Sequence, residues 1–150
     1  MSSRHKRKGK PKFLMIEGYV VKSAAWKALT ANDKAVYLGL KWKYDAFNNG
    51  RIAMGCREAA EVIGNASKDT GKRSLDNLQA KGFITLTKPS GFNMKNRAAT
   101  EWRLTEYKCD VTGELPTKAF MRWAPDEKST VRPRGHTVRP QGQWALERSA

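Results

Sequence analysis

The stretch Ser67-Lys-Asp-Thr-Gly-Lys-Arg-Ser-Leu-Asp-Asn-Leu78 gathers side chains suited to holding phosphates and reading base edges. A Lys ammonium is a point charge for a phosphate oxygen, and an Arg guanidinium is a planar fork for two adjacent acceptors. At 100° per residue, Gly71, Leu75 and Leu78 share one helix face. Asp69, Thr70, Arg73, Asp76 and Asn77 share the other, with Lys68 and Lys72 at its edges. On such a helix Ser67, Lys68 and Lys72 suit phosphates, Arg73 the paired acceptors of guanine, and Asn77 those of adenine. Thr70 suits a thymine methyl or a phosphate. Asp69 can accept from cytosine, cap the helix locally or pair with Arg73.

Other elements must hold that face outward. Ser67 is a good helix N-cap. A preceding helix is predicted from about Cys56 to Ile63, with Ala59, Ala60 and Ile63 on one face and Gly64 at its end, where a left-handed residue costs least as Gly. Gly71 in mid-helix costs roughly 1 kcal/mol against Ala, and its inward position would let the preceding helix approach. Upstream, Thr30-Ala-Asn-Asp33 is close to a capping box, with Asp where Glu or Gln is usual. Val36, Leu40, Tyr44 and Phe47 then recur at helical spacing beside Tyr37, before the turn signal Asn48-Asn-Gly50 and a short extended piece, Arg51–Met54. Ser23–Leu29 reads as a helical turn, and Phe13–Ile16 and Tyr19–Val21 as a strand or extended segment that docks the amino terminus.

After Gly82 the period becomes two. Phe83–Thr87 and Thr100–Thr105 are predicted strands, with Ile84, Leu86, Trp102 and Leu104 inward. Between them runs a long cationic loop without an acid, whose Lys88, Asn93, Lys95, Asn96 and Arg97 would follow a phosphate backbone or enter a minor groove.

Ala60, Gly64, Ser67, Thr70, Arg73, Leu75 and Leu78, followed by Gly82-Phe-Ile84, resemble bacterial winged helix-turn-helix DNA-binding proteins over roughly residues 23–107. The frame from Trp26-Lys-Ala-Leu-Thr30 through Asn48-Asn-Gly-Arg-Ile52 to Thr100-Glu-Trp-Arg-Leu104 is similar to small plasmid, phage and mobile-element proteins related to replication initiators and transcription regulators. The resemblance implies an α+β fold of three helices plus a β-hairpin wing that binds double-stranded DNA. Transcriptional regulation is the first expectation and replication initiation the alternative. An RNA-binding module and a protein–protein adaptor are rivals from other classes. One departure stands out: two residues separate Gly64 from Ser67, where the commonest pattern has one.

The 150 residues hold 29 Lys and Arg against 14 Asp and Glu, a net charge of +15 that favours polyanions. Residues 1–22 are the densest part, with seven Lys or Arg against one Glu. The expected organisation is a basic disordered arm over 1–12, whose Arg4, Lys6, Arg7 and Lys8 would meet DNA phosphates, and a winged domain over 13–107. An extension over 108–124 packs back through a short helix in Thr117–Trp123, and a disordered basic tail follows over 125–150. Thr130-Val-Arg-Pro133 recurs as Thr137-Val-Arg-Pro140, so the tail is a candidate for a protein partner. The helix after Thr30 and the stretch Phe120–Trp123 offer apolar surface for a homodimer.

No catalytic site is expected. Asp69-Thr-Gly71 copies an aspartic-protease string but lies in a polar helix, and Gly64–Ser74 has the wrong glycine spacing for a phosphate loop. His5 and His136 stand apart from any paired nucleophile or carboxylate. Cys56 and Cys109 do not supply the about four ligands of a structural zinc, so neither metal nor cofactor is expected. No apolar run approaches the ~20 residues of a membrane span, and no secretory signal is expected. The expected location is cytoplasmic, at the nucleoid.

Overall fold

Capping chemistry explains where the longer helices start and stop. The computed structural model describes residues 11–93 and 96–126. Arg4, Lys6, Arg7, Lys8, Lys95 and the repeat-bearing tail lie outside the described residues. The fold is α+β, with the element order α1 (Gly18–Lys22), α2 (Ala24–Lys27), α3 (Ala31–Lys43), β1 (Ile52–Ala53), α4 (Cys56–Gly64), α5 (Lys68–Ala80), β2 (Ile84–Lys88), β3 (Gly91–Asn93), β4 (Asn96–Ala98), β5 (Glu101–Leu104) and a 3-10 helix (Ala119–Arg122). Three helices were expected, and α3, α4 and α5 are those; α2 falls within the expected helical turn Ser23–Leu29, and α1 stands in front of it.

At the start of α3, Thr30 Oγ1 accepts from the Asp33 amide at 3.2 Å and Asp33 Oδ2 accepts from the Thr30 amide at 3.0 Å, a complete capping box with Asp in the third position. Ser67 caps α5 by accepting from the Thr70 amide at 3.2 Å. That helix closes with Phe83 N–H on the Leu78 carbonyl and Gly82 N–H on that of Gln79, with Gly82 left-handed at φ 81°.

The sheet order is β1-β5-β2, antiparallel throughout, with Ile52 opposite Trp102 and Ile84 opposite Leu104. One sheet face and the inner faces of α3, α4 and α5 enclose a core of Val36, Tyr37, Leu40, Ile52, Met54, Ala59, Leu75, Leu78, Ile84, Trp102 and Leu104. Phe83 is its aromatic hub, stacked on Phe120 at 4.8 Å and edge-on to Tyr37 at 5.3 Å and Trp26 at 6.1 Å. Through Phe120 the carboxyl-terminal extension joins the same core.

Four expectations need correction. Tyr19-Val-Val21 lies in α1 rather than in extended chain, because Val20 enters the core and Tyr19 stacks on Phe120 at 6.2 Å. Phe47 is off the helix and 85% exposed, because α3 ends at Lys43. There the Asn48 side chain donates to the Lys43 carbonyl and accepts from the Asp45 amide, which turns the chain away. Leu86 is 39% exposed rather than inward, next to a register shift between Leu86 and Lys88. The long loop after Lys88 is a paired ribbon instead: β3 and β4 run antiparallel, Phe92 opposite Arg97 and Asn93 opposite Asn96.

Asn49 pins the turn to the end of the sheet. It is fully buried, its Oδ1 accepts from the Leu104 amide at 2.7 Å, and its Nδ2 donates to the carbonyls of Leu104, Tyr107 and Lys108. Replacing Asn49 with Ala leaves the Leu104 amide unpaired in the interior and should cost about 2 kcal/mol. Urea denaturation measures it, and a loss under about 0.5 kcal/mol would mean that the turn is held by other contacts.

Candidate nucleic-acid interface

The candidate site is the outward face of α5 with the β3–β4 ribbon. α5 is held from behind by α4, and the tightest point is Gly71, where an added Cβ would meet the Cys56 carbonyl oxygen and lie 2.7 Å from the Ala60 amide nitrogen. The two-residue spacer before Ser67 is accommodated by two successive left-handed residues, Gly64 at φ 111° and Asn65 at φ 59°. The amides of Asn65 and Ala66 both donate to the Ala60 carbonyl, so the extra residue is absorbed in the helix stop.

Gly71, Leu75 and Leu78 are buried as expected, and Lys68, Asp69, Lys72, Arg73 and Asp76 are exposed together. Their side chains are not equally free. Lys72 Nζ donates to Asp76 Oδ2 at 2.6 Å, one helical turn on, and that hydrogen bond with its charge raises the Lys72 pKa. The Lys–Asp spacing of four was legible in the sequence, and it makes Lys72 a neutralised partner rather than a free cation. Asp69 neither caps α5 nor pairs with Arg73, a correction to the expected local bond; among the described residues Arg73 forms no ion pair.

Ser67 and Thr70 share a hydroxyl–hydroxyl bond of 2.9 Å at the cap, and Thr70 is half-buried. Asn77 is half-buried on the flank of the helix, its Nδ2 3.4 Å from Asp33 Oδ2 of the α3 cap, so it leans toward α3. Lys88 is exposed at the end of β2, and Asn93, Asn96 and Arg97 occupy the paired backbone of the ribbon. The structure therefore brings Lys68, Lys72 and Arg73 onto one surface, with Asp69 and Asp76 among them.

Two arginines escaped the sequence reading. Arg57 in the first turn of α4 and Arg51 before β1 are exposed, and among the described residues neither forms an ion pair. An Arg at the start of an exposed helix in a +15 chain was the available signal. Phe120, expected on a dimer surface, is buried in the core and Trp123 is half-buried against it, while Met121 between them is exposed. Among the described residues no group of three or more His, Cys, Asp or Glu gathers to hold a metal ion, and no helix is long and apolar enough to cross a membrane. Compared with known proteins, the chain matches no protein-family model, no curated protein and no solved structure.

Proposed function

We propose that the chain is a winged-helix protein that binds double-stranded DNA, with α5 in the major groove and the β3–β4 ribbon on the neighbouring backbone. The observation that carries the reading is the order α3-β1-α4-α5-β2-ribbon-β5, with the sheet order β1-β5-β2 and a polar, outward α5 packed on α4 through Gly71. In this reading Lys68 and Lys88 meet phosphates and Arg73 reads a guanine. The net charge of +15 supplies the long-range attraction. Transcriptional regulation at the nucleoid is the role we favour, and replication initiation on a mobile element uses the same surface. A protein partner is the second reading, favoured by Asp69 and Asp76, which stand exposed in the middle of the α5 face.

Selection of sites from genomic DNA fragments at roughly physiological salt tests the proposal. A recovered motif is expected, and its symmetry reports whether a homodimer reads two half-sites. Binding without preference would remove base reading by α5. On a selected site, Arg73→Ala should cost about 1–3 kcal/mol and relax the preference at one base pair, whereas Lys88→Ala should weaken all sequences alike. Equal losses from both changes on every sequence would assign Arg73 to the backbone.

A further inference from the structure

Cations that pair with no carboxylate among the described residues gather at the far end of α5. Lys118 Nζ stands 4.7 Å over the Tyr19 ring, Lys34 Nζ 5.5 Å over Trp26 and Lys81 Nζ 5.6 Å over Trp123. The rings form one assembly: Tyr19 stacks on Phe120, Phe120 on Phe83, Trp26 lies edge-on to Phe83, and Trp123 ends the 3-10 helix that carries Phe120. That 3-10 helix abuts α2 and the Gly82 stop of α5, so α2, α3, the end of α5 and the extension present their lysines around one aromatic column. Lys27, beside Trp26, and Arg122, beside Trp123, add two exposed cations.

Among the described residues none of these five forms an ion pair, whereas Lys41, Lys43, Lys72 and Arg103 each hold a carboxylate. Helix electrostatics does not account for Lys34. It sits just inside the amino end of α3, where a cation is unfavourable.

We propose that this face is a second binding surface for the phosphodiester backbone of nucleic acid, separate from the outward face of α5. The 13 residues of α5 put Lys81 roughly 20 Å along the helix axis from Ser67, at 1.5 Å per residue. The face therefore meets a segment other than the one in contact with the start of α5. Packing an ammonium over a ring restrains its stem while leaving N–H donors for a phosphate, so less side-chain entropy is lost on binding. The choice of nucleic acid as the polyanion rests on the DNA-binding reading; the surface itself does not depend on α5.

The test uses the full chain with Lys34→Gln, Lys81→Gln and Lys118→Gln combined, which keeps the first two methylenes of each stem and removes the charge. A second variant, Lys27→Gln with Arg122→Gln, changes exposed positions only and guards against a folding defect in the first. Affinity for a duplex of random sequence is measured across a salt series for both, and Arg73→Ala is compared on that duplex and on a selected site. The slope of log affinity against log salt should fall by about 2–3 for the triple variant and about 1–2 for the double, at roughly 0.9 per phosphate lost. Capture of a second labelled duplex by protein already bound to an immobilised one should be lost as well.

Unchanged slopes in both variants, with Arg73→Ala relaxing sequence preference, would overturn this surface and leave the α5 reading intact. Reduced slopes with no effect of Arg73→Ala would uphold this surface and remove α5 from the interface. A wild-type chain without affinity for duplex DNA at low salt would overturn both, and binding of anionic vesicles instead would reassign the face to a membrane.

Discussion

Replacing Gly71 with Ala should destabilise the protein by about 3 kcal/mol, the upper end of the usual cost of overpacking. Two opposed effects decide the sign. Ala is the better helix former by roughly 1 kcal/mol, which would stabilise α5 if the position were open. It is not open: the new methyl would meet the Cys56 carbonyl oxygen and lie 2.7 Å from the Ala60 nitrogen and 3.2 Å from the Ala60 methyl. The first two are backbone atoms of α4, so no rotamer change relieves the contact and the helices must move apart. Separation also unseats Leu75 and Leu78, which the same inner face buries.

Urea denaturation with an unchanged m-value measures the loss. A neutral or stabilising Gly71→Ala would mean that α4 and α5 are less closely packed than described. In the DNA-binding reading the consequence reaches the interface, since the α4–α5 contact fixes the angle at which Arg73 is presented. The variant should lose sequence preference even at temperatures where it remains folded, a loss that Leu104→Val, a cavity on the sheet side of the core, should not reproduce.

Local chemistry is what the sequence made legible. The Thr30–Asp33 box, the Ser67 cap, the inward Gly71, Leu75 and Leu78, and the strands around Ile84 and Trp102 depend on residues near in sequence or on a simple period. Where tertiary partners decide, the reading failed. Tyr19-Val-Val21 has strand composition, but the partner that makes it helical, Phe120, lies about a hundred residues away. Phe47 kept the α3 period on paper, yet the bonds of Asn48 stop the helix first. Asn49 announces only a turn by composition, and its burial follows from strand ends supplied by Leu104, Tyr107 and Lys108.

The candidate interface was half legible for the same reason. The face of α5 follows from its period, whereas the lysines around Tyr19, Trp26 and Trp123 come from four separate elements. Nothing in their sequence spacing joins them.

A buried charge pair gives the other large effect. Glu106, just past β5, accepts from Tyr37 Oη at 2.7 Å and from Lys41 Nζ at 2.9 Å through one oxygen, with only 3% of the Lys41 and 1% of the Glu106 side chain exposed. Tyr37 and Lys41 stand one turn apart on α3, so one carboxylate ties the helix to the end of the strand. Burial, and after it the neighbouring carboxylate, push the Tyr37 phenol far above its ordinary pKa and keep it a donor. Lys41 also lies 5.1 Å over the Tyr107 ring, which stacks on Tyr44 at 4.6 Å.

Glu106→Gln keeps the shape and an accepting oxygen but leaves the Lys41 ammonium uncompensated in the interior, and should cost about 3–5 kcal/mol. That is a large share of the ~5–15 kcal/mol by which a domain is stable. Adding Lys41→Met removes the stranded charge, so the double variant should recover at least about 2 kcal/mol of the loss, a coupling that a denaturation cycle reads directly. Additive losses would mean that the two side chains do not sense each other's charge, and Glu106 would then tie α3 to the end of β5 through its hydrogen bond from Tyr37.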